Sequence, residues 1–265
     1  MNFPDIHPIA ISIGPIDIRW YSLSYIFGIL ISWLLVSNFL IKYKKNVSRK
    51  IIDELLNYLV LGIIIGGRLG YVFFYNFEYY FFSPLEILKI WKGGMSFHGG
   101  LIGIIISIFI FTKKRKELFF DITDLIALVS PIGIFFGRIA NFINGELYGR
   151  ITESKYGIIF PNGGSLPRHA SQIYEAFFEG IILYLILNIL FFYSKFGVLK
   201  GSISGMFLFL YGFFRFFIEF FREPDYHIGY IFKYITLGQI LCIPMIIVGL
   251  LIMINSFKNK IYAEF

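Results

Sequence analysis

The stretch "DLIALVSPIGIFFGRIANFINGELYGR", residues 124–150, begins as an apolar run and ends with Arg138, Asn141, Asn144, Glu146 and Arg150 close together. Charged groups are costly in or beside hydrocarbon and are functional candidates wherever they occur within a span. The stretch therefore reads as a membrane helix whose exit carries polar groups that need a compensating partner, either a structural counter-charge or a polar ligand.

The rest of the chain reads the same way. Of 265 residues, 57% are hydrophobic and 15% charged, and the mean hydropathy is +0.72. A soluble domain has about half apolar and a quarter charged residues, so the composition is that of an integral membrane protein. About 20 apolar residues cross the hydrocarbon layer as a helix. Seven segments fit, near 20–41, 52–75, 95–112, 121–142, 172–193, 202–221 and 235–256. The expected fold is all-α, a polytopic membrane protein with seven transmembrane helices. It reads as one integral membrane domain over 1–265, with the Pro- and Gly-rich loop 143–171 forming part of a small extracytoplasmic cap. Residues 1–17 carry no Lys or Arg and the first apolar run is long, so that run is read as a span, not a cleaved signal.

Lys and Arg in short loops set orientation. The loops 42–50, 113–117 and 194–200 and the C-terminal tail hold thirteen, against seven in the opposite loops. The N-terminus and the loops 76–94, 143–171 and 222–234 are thus expected outside, the C-terminus inside. The net charge of +7 is then mostly a topology signal and a contact with the anionic cytoplasmic leaflet, not a nucleic-acid footprint. The single cysteine, Cys242, and the scattered His7, His98, His169 and His227 supply neither a disulfide framework nor metal-ligand spacing, so no metal is expected.

Four arginines lie within or at the edge of the spans: Arg19, Arg68, Arg138 and Arg215. Arg19 is at the outer border, where it can snorkel. At 1.5 Å per residue, Arg68, Arg138 and Arg215 all fall within roughly 10 Å of the outer interface. Two readings stand: separate snorkelling or ion-paired arginines, or a shared site for an anion entering from the outer leaflet, for which a guanidinium fork suits phosphate. The sixth segment favours the second, since Tyr211, Arg215, Glu219 and Arg222 recur at a spacing that puts them on one helix face. Glu219 is expected to pair with Arg215 or Arg222. At the mouth of the third segment, "GGMSFHGG" (93–100) places His98 between glycine pairs at a helix N-terminus, where backbone N–H groups favour anions.

These residues carry a resemblance. "GRIANFINGELYGR" (137–150), "IRWYSLSY" (18–25), "GGRLGYVFFYN" (66–76), "GGMSFHGG" (93–100), "HASQIYEA" (169–176), "GFFRFFIEFFREPD" (212–225) and "LGQIL" (237–241) together resemble the signature of the prolipoprotein diacylglyceryl transferase family. Ala170 stands where the family usually has proline, and Ala140 where glycine is common. The resemblance implies a multi-pass enzyme of the bacterial inner membrane without metal or nucleotide cofactor. It implies transfer of an sn-1,2-diacylglyceryl group from phosphatidylglycerol to the lipobox cysteine of a prolipoprotein, with release of glycerol 1-phosphate. Expected partners are therefore phosphatidylglycerol, lipobox signal peptides and membrane lipids, and no nucleic acid. It implies His98 as the base, Arg138 and Arg215 at the phosphate, and Tyr21, Arg68, Asn141, Glu146, Gly149, Tyr211, Glu219 and Arg222 as substrate-binding residues. The rival functions are a transporter and a non-catalytic binder for an anionic headgroup. A transporter needs polar residues through the inner halves of the helices, and those read "LGIII", "IIISIFIF" and "FLFLYG".

Overall fold

A computed structural model describes residues 1–4, 6–13, 16–44, 46–90, 93–113, 118–224, 229–231 and 235–259. The basic residues 114–116, with Lys45, Lys92, Lys233 and Lys260 of the orientation count, lie outside the described residues. Helices dominate: α1 Trp20–Leu35, α2 Arg49–Tyr75, α3 Phe77–Phe82, α4 Phe97–Thr112, α5 Leu118–Ile143, α6 Ser171–Glu175, α7 Leu183–Tyr193, α8 Ser202–Ile218 and α9 Leu237–Asn259. A π-helical stretch, Ala176–Ile182, joins α6 to α7. Among the described residues, five helices are long and apolar enough to cross a membrane: Trp20–Tyr43, Arg49–Tyr75, Leu118–Ile143, Ser171–Tyr193 and Leu237–Asn259. Two further apolar helices, α4 and α8, have 16 and 17 residues and coincide with the third and sixth expected segments. The protein is a multi-pass, largely helical membrane protein.

Small β elements, absent from the expected all-α pattern, decorate it. Strands β1 (Ile9–Ile13) and β2 (Ile16–Arg19) pair antiparallel, as do β3 (Tyr230–Ile231) and β4 (Ile235–Thr236). Ile at every second position of β1 and β2 suits a short two-stranded ribbon.

The chain divides into two compact units, one of Met1–Phe39 with the chain from Asp124 onward, the other of Leu40–Thr123. In the second unit, α2 packs on α4 through glycine faces. A Cβ on Gly66 would come within 2.8 Å of the Gly103 Cα, and one on Gly99 within 2.7 Å of the Gly70 Cα. Helices in lipid gain little from hydrophobic burial against each other. Small residues four apart let the backbones touch and gain dispersion contacts instead. The same unit buries an ion pair, Lys44 Nζ with Asp121 Oδ1 at 3.6 Å.

In the first unit, α5 sets the start of α8. Gly201, at φ 82°, offers no side-chain cap. Asp124 supplies it from α5, accepting the backbone N–H groups of Gly201 and Ser204, each at 2.9 Å, and the Ser204 hydroxyl at 2.6 Å. The far end of α8 is shorter than the apolar pattern implies, stopping at Ile218 instead of 221. Arg150 explains the stop: its Nη2 donates to the Glu219 carbonyl at 3.3 Å and its Nε to that of Arg222 at 2.9 Å. These bonds satisfy carbonyls that a helix end leaves unpaired. The loop 143–171 is folded, not extended. Phe160 is buried against Phe3, Phe142 and Tyr148, with ring centroids 5.4, 6.1 and 5.4 Å away. The amino terminus donates to the Gly157 carbonyl at 2.6 Å.

Gly103→Val is expected to force α2 and α4 apart and cost about 1–3 kcal/mol, the range for overpacking a tight contact. Thermal unfolding in detergent measures it. Gly137→Ala, where an added Cβ meets nothing within 4 Å, is expected to leave the unfolding temperature unchanged or raise it.

Candidate active site

The polar end of α5 does find counter-charges, and they come from a helix whose carboxylates the arginine pattern alone did not flag. Glu175 closes α6 and Glu179 lies in the π-helical stretch. Both are fully buried. Arg138 Nη1 lies 2.9 Å from Glu175 Oε2, and its Nη2 donates to Glu179 Oε2 at 3.2 Å. Arg215 Nη1 donates to Glu175 Oε1 at 2.6 Å and lies 3.8 Å from Glu179 Oε1. Its Nη2 meets Glu219 Oε2 at 2.9 Å. Arg222 Nη1 completes the set with Glu175 Oε1 at 3.4 Å. Among the described residues three guanidiniums face three carboxylates, so the formal charges of the cluster match. An unpaired ion here would cost several kcal/mol, which good geometry and hydrogen bonds offset. Glu219 also accepts the Thr236 hydroxyl at 3.0 Å.

The structure therefore brings Arg138, Arg215, Glu219 and Arg222 together, with Glu219 on Arg215 as one of the two expected pairings. Tyr211 is buried one turn before Arg215 and lies within electrostatic reach of Arg138, Arg215 and Glu179. Tyr21, hydroxyl to hydroxyl with Tyr25 at 3.1 Å, senses the charges of Glu146 and Arg138. Glu146 touches amides: its Oε1 accepts Asn141 Nδ2 at 2.9 Å and Asn144 Nδ2 at 3.2 Å. Gly149 acts as a junction. It donates to the His169 carbonyl at 2.8 Å and bridges to Arg222, and a Cβ there would lie 2.6 Å from that of His169. No other residue fits.

Between Glu146 and Gly149 the chain is strained. Leu147 has φ 57°, a left-handed conformation that costs a Leu roughly 1–2 kcal/mol. It is held by Ser171 Oγ, which donates to the Leu147 carbonyl at 3.0 Å, and by Gln172 Nε2 on the Glu146 carbonyl at 2.5 Å. Strain held in this way by surrounding bonds clusters at functional sites. The His169 ring stands edge-on to Phe221, with centroids 5.3 Å apart, and burial lowers its imidazole below the ordinary pKa.

Arg68 and His98 belong to the second unit. Arg68 is buried and spends its donors on backbone carbonyls. Nε bonds Ile87 at 2.9 Å, Nη2 bonds Glu86 at 2.7 Å, and Nη1 bonds Gly93 at 2.5 Å and Gly94 at 3.3 Å. It ties the turn 86–89 to the glycines that precede α4. His98 sits in the first turn of α4, whose N-cap Ser96 Oγ accepts the Gly99 N–H at 3.2 Å.

The arginine pattern does not point to Glu175 and Glu179, because their segment, 172–193, holds no Lys or Arg. The signal was present: two carboxylates four apart inside an apolar segment demand cations from neighbouring helices. Among the described residues no group of three or more His, Cys, Asp or Glu is placed to hold a metal ion.

Fold and site together define a multi-pass membrane protein with a buried, balanced arginine–glutamate cluster at the mouth of its helices. Comparison with known proteins gives the class a family. The model of the prolipoprotein diacylglyceryl transferase family matches residues 8–255, and the chain belongs to that family. It is 53% identical over 249 residues, 94% of this chain and 96% of the relative, to the phosphatidylglycerol–prolipoprotein diacylglyceryl transferase of Rickettsia akari (strain Hartford). It is 51% identical over 256 residues, 97% of each chain, to the protein of that name from Rickettsia bellii (strain OSU 85-389).

Glu175 touches all three guanidiniums. Glu175→Gln is expected to leave an uncompensated buried positive charge and to cost about 3–5 kcal/mol, read as a lower unfolding temperature in detergent.

Proposed function

We propose that this protein transfers the sn-1,2-diacylglyceryl group of phosphatidylglycerol to the thiol of a lipobox cysteine in a prolipoprotein. A thioether forms, and glycerol 1-phosphate is released. The family match over nearly the whole chain is the observation that carries this reading. The gathering of Arg138 and Arg215 at one buried cluster supports it.

The chemistry needs a sulfur nucleophile, a carbon electrophile and an anionic leaving group. The headgroup phosphodiester carries one negative charge, and departure as a monoester builds more on its oxygens. Arg138 and Arg215 hold that phosphate and stabilise the growing charge in a poorly hydrated site, where such stabilisation is strongest. Arg222 and Glu219 fix the orientation of the fork. Asn141 and Glu146 contact the glycerol headgroup, alongside Tyr21 and Tyr211; Gly149 lets the chain pass close to His169, and Arg68 holds the turn before α4. The thiol, with an ordinary pKa of about 8.5, reacts as thiolate, and His98 takes its proton. The acyl chains stay in lipid, beside the apolar surfaces that the helices present. In this reading the chain is one integral membrane domain of seven spans in the bacterial inner membrane. Its N-terminus and the loop 143–171 lie outside, its C-terminus lies in the cytoplasm, and its site opens to the outer leaflet.

Reconstitution with labelled phosphatidylglycerol and a lipobox peptide tests the reaction, with the thioether adduct as the expected product. Lipid uptake or binding without adduct would favour a transporter or a binder. Arg138→Lys and Arg215→Lys are expected to lower turnover by about 10²–10³, as loss of a charge-stabilising donor does. His98→Ala is expected to lose about 10²–10⁴, and full activity in that variant would remove its role as base.

A further inference from the structure

Within the cluster, Glu179 is held least firmly. Glu175 meets three guanidiniums, at 2.6, 2.9 and 3.4 Å. Glu219 has Arg215 and the Thr236 hydroxyl. Glu179 accepts a hydrogen bond from Arg138 Nη2 at 3.2 Å. Its buried Oε1 has no hydrogen-bond partner among the described residues and lies 3.8 Å from Arg215 Nη1. It also sits within the π-helical stretch Ala176–Ile182, a backbone irregularity that is rare in general and frequent at functional sites.

Charge balance shows what this arrangement does when an anion arrives. Arg138, Arg215 and Arg222 are matched by Glu175, Glu179 and Glu219. A phosphodiester entering on Arg138 and Arg215 adds one negative charge, so a balanced low-dielectric cluster becomes overcharged by one. Glu179 faces Arg138 from α5, Arg215 and Tyr211 from α8, Cys242 from α9 and Glu175 from its own helix. Of the three carboxylates it has the least to hold it ionised once Arg138 turns away.

We propose that Glu179 is a proton-coupled place-holder for the lipid phosphate. The phosphodiester takes the Arg138 Nη2 donor from Glu179, and Glu179 takes one proton from water as it loses that partner. One negative charge and one proton enter together, so the cluster keeps its balance. The proton leaves when glycerol 1-phosphate departs and Arg138 returns to Glu179. This rests on the reading that Arg138 and Arg215 hold the headgroup. Glu179 is thereby a positioning residue, acting on the substrate through Arg138.

Calorimetric titration of the full-length protein in detergent with short-chain phosphatidylglycerol, in buffers of different ionisation enthalpy, counts the protons. The wild type is expected to take up about one proton per lipid, and its affinity to fall about tenfold per pH unit, the slope that linkage gives for one proton. Glu179→Gln, which carries no charge to displace, is expected to take up none. Its affinity should be flat with pH and severalfold tighter at pH 8, with the KM for the lipid changing more than kcat. Binding by the wild type without proton uptake would overturn the proposal, and that measurement needs no variant to fold. Unchanged uptake in Glu179→Gln would overturn it too. The headgroup reading fails separately, if Arg138→Gln binds the lipid as the wild type does.

Discussion

The structure around the site depends on one constraint, that guanidiniums in a low-dielectric interior must be neutralised. Arg138, Arg215 and Arg222 come from α5, from α8 and from the turn beyond it, and they meet because Glu175 lies within reach of all three. The cost of leaving any of them unpaired is several kcal/mol, comparable to much of the stability of a domain. The ion cluster therefore fixes how the helix through 171–193 sits against α5 and α8. The rest of that end follows from it. Arg150 finishes α8, Gly149 lets the chain pass close to His169, and Leu147 accepts a left-handed conformation between them.

Balance of this kind also suits the function of the family. A cluster with excess positive charge would bind any anion, and one with excess negative charge would bind none. A charge-matched cluster presents donors already aimed and already desolvated, so an anion bound there would require less reorganisation. Preorganised donors of this kind are the usual source of electrostatic catalysis. The strain at Leu147 is consistent with a backbone shaped by the site and not by local propensity.

The legibility of the site in the sequence was uneven. Arg138, Arg215, Glu219 and Arg222 stood out because ionisable residues are rare in apolar segments and the last three share a spacing. Glu175 and Glu179 are as rare in their segment, but no arginine in that segment marks them. Arg68 has the same sequence signature as Arg138, an arginine near the end of an apolar helix, yet it spends its donors on carbonyls between Glu86 and Gly94. Sequence gives the depth of an arginine along its helix, but not which acceptors lie beside it.

The apolar segments, their order and most of their ends were determined by the sequence itself, because the length of hydrocarbon to be crossed and the cost of charge within it act on each segment alone. The small β ribbons, the early end of α8, its cap from Asp124 and the pairing of three arginines with three glutamates were decided by the tertiary structure. Each depends on which distant carbonyl, amide or counter-charge arrives within about 3 Å, the range over which a hydrogen bond acts, and no local pattern encodes that distance.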